Sequence, residues 1–291
     1  MQSIERFSKV LRHIEQHLDE ELSIATLSAV AALSPYHFQR QFSACYGIGV
    51  FQYIRLLRLQ RASFQLAYRD SLSIGEVSAD AGYQNAESFA RTFRRLFGQA
   101  PTMFRREPDW QQWHDVMRQL QQTREQMMND SANNQATYQV EIRDFPETQL
   151  AVLEHRGPPE QLGKSIQQFI AWRRANRLPP SRSATFNLIY DDPAVTAPED
   201  YRFDLGAAVQ QSLAANDQGI VNKTIPACRC AVVRHIGHDQ GLAPIVRYLY
   251  QQWLPASDES PLDFPLFFQR LKFFPDVPEH QAVTEVFLPL R

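Results

Sequence analysis

The sequence predicts a multi-domain protein, in which an all-α domain with two helix-turn-helix units precedes an α+β domain of duplicated strand-helix-strand-strand units. Three observations predict this architecture. The chain has 291 residues, more than one compact domain usually holds. Helical periodicity continues to about residue 107, whereas alternating β patterns begin near residue 138. Each half also contains an internal repeat.

The distribution of charge differs between the two halves. Residues 1–108 carry a net charge of +3, and the remainder of the chain carries −5. A mildly basic first half is compatible with an anionic partner, and an acidic second half does not favour nucleic acid. We place the two domains at residues 1–108 and 138–291. A polar linker is predicted at residues 109–137, partly helical, with Val116, Leu120 and Met127 as sparse apolar anchors.

The first repeat lies in the helical half. Leu22–Ala31 matches Leu72–Ala81 at a shift of 50 residues. After one inserted residue the shift is 51, and the matched pairs are Ser34 with Asn85, Arg40 with Arg91, Phe42 with Phe93, Tyr46 with Phe97 and Gly47 with Gly98. Each copy is predicted to form a short helix, a tight turn and a second helix. The first pair are the expected N-caps and the last pair the expected C-terminal stops.

The second helix of each copy has an exposed face of residue types that suit base recognition. In the first copy this face carries Tyr36, His37, Gln39 and Arg40. In the second copy it carries Glu87, Ser88, Ala90 and Arg91. Arginine pairs with guanine, glutamine with adenine, and glutamate accepts a hydrogen bond from cytosine. The alternative is a merely solvated helix face, but repetition at the same register favours a DNA reader.

The helix predicted between the two copies, Val50–Arg69, spans roughly 30 Å. This length is close to the ~34 Å that separates successive major grooves on one side of B-DNA. One chain could therefore place both reading helices on DNA. The candidates for contacts to phosphate are Arg55, Arg58, Arg61, Arg69, Arg94 and Arg95. We expect some of these to form salt bridges on the protein surface instead.

Residues 3–107 resemble the DNA-binding domain of the AraC/XylS family, including the signature region of that family at Ala79–Pro101. The resemblance implies that two sets of positions contact bases. They are Tyr36, His37, Gln39 and Arg40 in the first reading helix, and Ala86, Glu87, Ser88 and Arg91 in the second. The second set has small or acidic residues where relatives often carry larger amides.

The second repeat organises the α+β half. At a shift of 80 residues, Phe145-Pro146, Ala151-Val152, His155 and Gly157 match Ile225-Pro226, Ala231-Val232, His235 and Gly237. Two such copies predict a pseudo-twofold domain with one sheet and a ligand groove between the copies.

The last predicted strand carries the sharpest candidate for ligand binding. There Val283, Glu285 and Phe287 share one face. A carboxylate among apolar residues favours a cationic ligand, because burying it unpaired is costly. The alternative is a glutamate on the solvated face of an edge strand.

Residues 138–291 resemble the GyrI-like effector-binding domain. The resemblance depends on the duplication and on three motifs, Tyr190–Pro193, Tyr201–Asp204 and Thr284–Leu290. It implies a pocket for bulky, often cationic organic molecules, with Glu285 as the pocket carboxylate and Tyr190 and Trp172 as aromatic walls. Before Pro275 the chain reads Gln269–Phe274, where relatives usually have a tyrosine and an Asn-Asp pair. We therefore expect a more apolar rim and a different ligand.

Together these features predict a sequence-specific, DNA-binding transcription regulator that responds to a bulky apolar or cationic small molecule. One alternative is a GyrI-like small-molecule hydrolase, with Glu285 and a nearby tyrosine as acid and base. Another is a constitutive regulator whose second domain makes protein contacts. The expected partners are double-stranded promoter DNA and the effector, with RNA polymerase as a further candidate.

The sequence predicts no enzymatic activity, no cofactor and no metal site. We expect Cys228 and Cys230 to point to opposite faces of a strand and so not to share a metal. No segment has the ~20 apolar residues of a membrane helix. The start of the chain lacks the pattern of a secretory signal, so the expected location is the cytoplasm, without a membrane partner.

Overall fold

The computed structural model describes residues 2–132, 138–214 and 216–291, with the side chains of residues 2–5 and 125–132 excepted. The chain divides into two compact units, Met1–Ala136 and Thr137–Arg291. Among the described residues, no helix is both long and apolar enough to cross a membrane.

Within residues 2–132, the first unit consists of helices. They are α1 (Gln2–Gln16), α2 (Ile24–Val30), α3 (Pro35–Tyr46), α4 (Val50–Tyr68), α5 (Ile74–Asp80), α6 (Ala86–Phe97), α7 (Pro101–Arg106) and α8 (Trp110–Ala132). The pairs α2–α3 and α5–α6 form the two helix-turn-helix units, and α4 joins them. The predicted all-α fold of the first half is confirmed.

The ends of the two reading helices, α3 and α6, follow from local chemistry. The Ser34 hydroxyl accepts a hydrogen bond from the His37 N–H at 3.4 Å, and the Asn85 side chain accepts one from the Ser88 N–H at 2.8 Å. Both helices end at a glycine in the left-handed region, with φ of 65° and 70°. The N-caps and C-terminal stops predicted from the repeat are thus confirmed.

Helix α4 is the centre of the first unit and is buried around most of its circumference. Two of its arginines consequently bind groups of the protein itself. Arg58 donates to the main-chain carbonyls of Leu18 at 3.0 Å and Glu20 at 2.8 Å, while the largely buried Arg61 pairs with Asp19 at 2.5 Å. The expectation that Arg58 and Arg61 are available to DNA phosphates is wrong, because both cross-link α4 to the segment after α1.

Helix α8 occupies most of the segment that was predicted as a linker. Trp110 and Trp113 are buried against Phe64 of α4, with ring centroids 6.1 and 5.1 Å away. Leu120, one of the sparse apolar anchors expected there, is fully buried. The first part of this segment therefore belongs to the core of the helical unit and is not a flexible linker.

The other two predicted anchors, Val116 and Met127, and the end of the predicted linker give less evidence about this packing. Val116 is half-buried and packs against the same core. The side chain of Met127 and residues 133–137 lie outside the described residues.

The second unit is an antiparallel sheet with helices on one face. The strands are β1 (Glu141–Phe145), β2 (Thr148–Arg156), β3 (Thr185–Ile189), β4 (Arg202–Ala208), β5 (Ile220–Ile225), β6 (Cys228–Ile236), β7 (Leu266–Lys272) and β8 (Val283–Leu290). The helices are α9 (Leu162–Ala175), α10 (Leu242–Tyr248) and α11 (Leu254–Ala256), the last two joined by a π-helical turn at Leu249–Trp253.

The order of strands shows the predicted duplication. Across the sheet the order is β1-β6-β8-β7-β3-β4-β2-β5. Exchanging β1–β4 with β5–β8 reverses this order, so a pseudo-twofold axis passes between β3 and β7. Each copy begins with one strand more than predicted, and that strand crosses over: β1 pairs with β6 of the second copy, and β5 with β2 of the first.

The face of the sheet opposite the helices, here called the cleft face, is filled at its centre by aromatic rings. Phe145, Phe186, Phe267 and Phe287 are all buried there. The rings of Phe145 on β1 and Phe186 on β3 lie only 5.9 Å apart, although a flat sheet would place strands four positions apart at roughly 19 Å. The sheet therefore curls strongly and brings β1 over its own centre.

The two cysteines of β6 also lie on the cleft face, next to β1. The Sγ atoms of Cys228 and Cys230 are 3.6 Å apart. The expectation of opposite faces is wrong, because residues two apart on a strand point to the same face. No group of three or more His, Cys, Asp or Glu side chains in the described part of the chain is arranged to hold a metal ion.

Candidate functional sites

The first candidate site is the exposed face of α3. Because Phe38 and Phe42 are fully buried, Tyr36, His37, Gln39 and Arg40 face solvent. Arg40 Nη1 donates to the Tyr36 hydroxyl at 3.2 Å, and the Tyr36 ring meets His37 edge-on at 5.5 Å. Tyr36 is a large aromatic residue with 66% of its surface exposed, so its ring is accessible to a partner.

The equivalent face of α6 is less cationic. Ala86, Glu87 and Arg91 are exposed, whereas Ser88 is half-buried. Arg91 Nη2 lies 3.3 Å from Glu87 Oε1, so its charge is compensated on the helix itself. All eight predicted DNA-contacting residues thus lie on the two reading helices, but the two faces differ in charge.

The remaining phosphate candidates are distributed unevenly. Arg55, Arg94 and Arg95 are exposed, and Arg69 is half-buried. Arg94 and Arg95 lie in the last turn of α6, on the same element as the second reading face. These three exposed arginines remain candidates for backbone contacts to DNA.

The second candidate site surrounds Glu285 on the cleft face. β8 lies inside the sheet, between β6 and β7, and only 9% of the Glu285 side chain is exposed. The alternative of a solvated glutamate on an edge strand is therefore wrong. The carboxylate is already paired: Arg143 Nη2 lies 3.0 Å away, and Arg234 Nη1 lies 3.7 Å away. Arg143 also stacks over the Phe287 ring at 5.4 Å.

Tyr190 lies on the same cleft face, immediately after β3, but it does not meet Glu285. Its hydroxyl donates to Asp204 Oδ2 at 2.8 Å, and Lys223 Nζ donates to that hydroxyl at 3.2 Å. Burial, with the hydrogen bond to Asp204, raises the pKa of Tyr190. Cations of the chain itself, Lys223 and Arg202, lie 5.3 and 5.2 Å from its ring.

Asp204 is a residue of this face that the sequence pattern did not predict as part of a site. It is fully buried on β4, and Lys223 Nζ contacts its Oδ2 at 2.6 Å and Glu154 Oε1 at 2.5 Å. Burial lowers the pKa of Lys223, but its hydrogen bonds to Asp204, Glu154 and Tyr190 outweigh this and raise it. The repeat contained the signal, because extending it along the sequence by one further residue, to a shift of 81, aligns Asp204 with Glu285.

Trp172 lies elsewhere. It is on α9, buried in the core between that helix and the other face of the sheet, where its ring stacks on Phe169 at 5.8 Å. The prediction that Trp172 walls the pocket together with Tyr190 and Glu285 does not agree with this placement. Helical and strand periodicity identify an inward-facing residue, but they do not say which side of the sheet it covers.

Comparison with known proteins assigns both halves. Residues 138–291 match the GyrI-like small molecule binding domain, and residues 27–107 match a helix-turn-helix domain, here of the AraC type. The probable transcriptional regulator YgiV of Escherichia coli K12 is 38% identical over 155 residues, which is 53% of this chain and 97% of YgiV. The probable transcriptional regulator LumQ of Photobacterium leiognathi is 37% identical over 103 residues, 35% of this chain and 41% of LumQ.

Two solved structures are similar to the chain at low identity. The C-terminal domain of EcmrR is 18% identical, covers 53% of this chain and 98% of its own, and has a TM-score of 0.44. A hydrolase from Listeria innocua is 10% identical, covers 56% and 98%, and has a TM-score of 0.41. At these TM-scores neither likeness bears on function. The match over residues 138–291 places the chain in the GyrI-like small-molecule-binding family, with an AraC-type helix-turn-helix domain in its first half.

Proposed function

We propose that this protein is a sequence-specific DNA-binding transcription regulator, and that an organic cation bound near Glu285 controls it. The observation that carries the first part is the pair α3 and α6. They have matching caps and exposed polar faces, and they are joined by a 19-residue helix about 28 Å long. The partner is double-stranded promoter DNA, with RNA polymerase as a further candidate, and the site of action is the cytoplasm.

Helix α3 is the stronger reader. Its face offers an arginine, a glutamine and a histidine without a neighbouring carboxylate, and Tyr36 positions the Arg40 guanidinium. Helix α6 presents Arg91 already paired with Glu87, so base contacts there compete with an ion pair. We therefore assign most of the sequence preference to α3 and a larger share of backbone binding to α6.

Two experiments test the DNA-binding part. Genome-wide mapping of bound sites first identifies an operator, and fluorescence anisotropy then compares operator with unrelated DNA at fixed salt. Arg40→Ala is expected to lose about 1–3 kcal/mol of sequence preference. Arg182→Ala, which removes an exposed arginine from the second unit, serves as the control for net charge. Full operator preference in Arg40→Ala would contradict the assignment of α3.

The effector part depends on the Glu285 carboxylate, which lies beside the Phe287 ring on a curled, aromatic sheet face. A bulky organic cation satisfies both the carboxylate and the ring. Tetraphenylphosphonium is a suitable probe, because it combines one positive charge with a large apolar surface. We expect it to change operator affinity of the wild type and not of Glu285→Gln. No change in the wild type would favour a constitutive regulator.

A further inference from the structure

The carboxylate at the proposed effector site already has a cation, and that cation belongs to the protein. Arg143 Nη2 lies 3.0 Å from Glu285 Oε1, and the Arg143 guanidinium lies 5.4 Å from the centroid of the Phe287 ring. A cation between a carboxylate and an aromatic face is the arrangement that an aromatic organic cation would adopt there. Arg143 therefore occupies the position that a ligand would need.

The solvent exposures of the Glu285 and Arg143 side chains indicate which of the two is freer to move. The Glu285 side chain is 9% exposed and lies inside the sheet, whereas 41% of the Arg143 side chain is exposed. Arg143 lies on β1, which is at the edge of the sheet and pairs with β6. The side chain that pairs most closely with Glu285 is thus a half-exposed arginine on the outermost strand.

The pseudo-symmetric half of the sheet provides an internal comparison. There Lys223 on β5 binds Asp204 on β4, and the same lysine also contacts Glu154 and Tyr190. Asp204 has no exposed surface, and its cation is only 24% exposed. That half is held by several contacts at once, whereas the Glu285 half is held by Arg143 and by the more distant, 57% exposed Arg234.

We propose that Arg143 is an internal cation that occupies the effector site, so that an effector must be an organic cation able to displace it. Displacement also weakens the hold on β1, because it removes the Arg143–Glu285 ion pair and leaves the strand with its pairing to β6 and the buried Phe145. β1 is the first strand after α8 in the chain, with residues 133–140 between them. This inference rests on the proposed function, since it concerns the effector site named there.

The test uses the full-length protein and two probes of the same shape. Benzamidine carries a planar cation on a flat ring, and benzamide is its neutral counterpart. Titration calorimetry is expected to show benzamidine binding at least tenfold more tightly to Arg143→Gln than to the wild type, with benzamide unchanged within twofold. Arg229→Gln removes a similarly exposed arginine from its pair with Glu259 at 2.7 Å and should change neither.

Two further variants control for misfolding and for the movement of Arg234 into the position of Arg143. Arg143→Met keeps the apolar stem of the side chain and should show the same gain. Arg143→Gln with Arg234→Gln should exceed the single variant, because the second guanidinium can move towards the vacated carboxylate. If none of these variants binds benzamidine more tightly than the wild type, the assignment of Arg143 is wrong.

Strand release has its own readout. Hydrogen exchange of the Glu141–Phe145 amides is expected to accelerate in the wild type when benzamidine is saturating, and to be already fast in Arg143→Gln. Unchanged exchange in both cases would overturn the release of β1. Neither readout involves DNA, so a failure of operator binding or of its response to tetraphenylphosphonium would count against the proposed function alone.

Discussion

Asp204 on β4 and Glu285 on β8 are equivalent residues of the duplicated sheet, and each is bound by a cation from the edge strand of the other copy. Lys223 of the second copy binds Asp204 at 2.6 Å, and Arg143 of the first copy binds Glu285 at 3.0 Å. The strand exchange that places β1 beside β6 and β5 beside β2 makes both contacts possible. The two ion pairs therefore hold the copies together, one deeply buried and one partly open.

The buried pair should matter most for stability. Lys223→Met leaves the Asp204 carboxylate charged and enclosed, which typically costs about 3–5 kcal/mol. Arg202→Met instead removes an exposed arginine from Asp191, and we expect a much smaller loss, because solvent screens this pair. Thermal unfolding of the second unit, followed by circular dichroism, measures both. Equal losses would contradict the difference in burial.

Acid should weaken the second unit through His155. This side chain is buried, and its Nδ1 lies 2.9 Å from Ser165 Oγ. Burial lowers the pKa of His155 below its ordinary 6.5, so the folded state holds the ring neutral while the unfolded chain takes up a proton. The stabilisation is complete above about pH 6.5 and is lost as the pH falls towards the depressed value.

We therefore expect the free energy of unfolding of the second unit to fall as the pH drops below about 6.5, and to fall less in His155→Asn. Chemical denaturation at each pH supplies the measurement, and a titration of the imidazole by NMR reports the pKa directly. An identical pH dependence in the variant would show that other groups are responsible.

Two features require glycine at position 82: its backbone angle and the close approach of a neighbouring side chain. Its φ is +80°, and a Cβ built there would lie 2.7 Å from Arg58 Nη1. Gly98 has φ of +70° with nothing within 4 Å, so Gly98→Ala reports the backbone cost alone, about 1–2 kcal/mol. Gly82→Ala should cost more in thermal unfolding of the first unit, since the Arg58 guanidinium, which binds the carbonyls of Leu18 and Glu20, must also shift.

Helix α8 should be required for a stable DNA-binding domain. Trp113→Ala removes a buried indole that packs on Phe64, and a loss of about 3–5 kcal/mol is expected. Residues 1–108 expressed alone should likewise unfold at a lower temperature than residues 1–132. Equal stability of the two fragments would support the prediction from composition that this segment is a linker.

Trp172 is expected to act on stability and not on ligand binding. Trp172→Phe should lower the unfolding temperature of the second unit, because the ring fills the core beneath α9. The affinity for tetraphenylphosphonium should remain within twofold of the wild type. A large loss of affinity with normal stability would instead support the prediction that Trp172 lines the pocket.

Much of the fold followed from the sequence because its determinants are local. Ser34 and Asn85 cap their own helices, and Gly47 and Gly98 end them, through contacts within a few residues. The exposed faces of α3 and α6 also follow from helical period alone. The duplication was visible because both copies kept the same residues at the same spacing.

The effector site depends on contacts that periodicity does not encode. Alternation placed Glu285 on a face with Phe287. The presence of Arg143 there follows from the exchange of β1 between copies, and the contact of Phe145 with Phe186 follows from the curl of the sheet. The same limit explains α8, whose polar composition concealed Trp110 and Trp113, and Trp172, which faces inward on the other side of the sheet.

The sequence by itself determined the two helix-turn-helix units, the duplicated sheet and the carboxylate at Glu285. Only the tertiary structure decided which cation meets that carboxylate and which strand carries it. Local spacing sets the direction in which a side chain points. Its partner depends on how distant segments pack, and for Glu285 that partner comes from the first strand of the other copy.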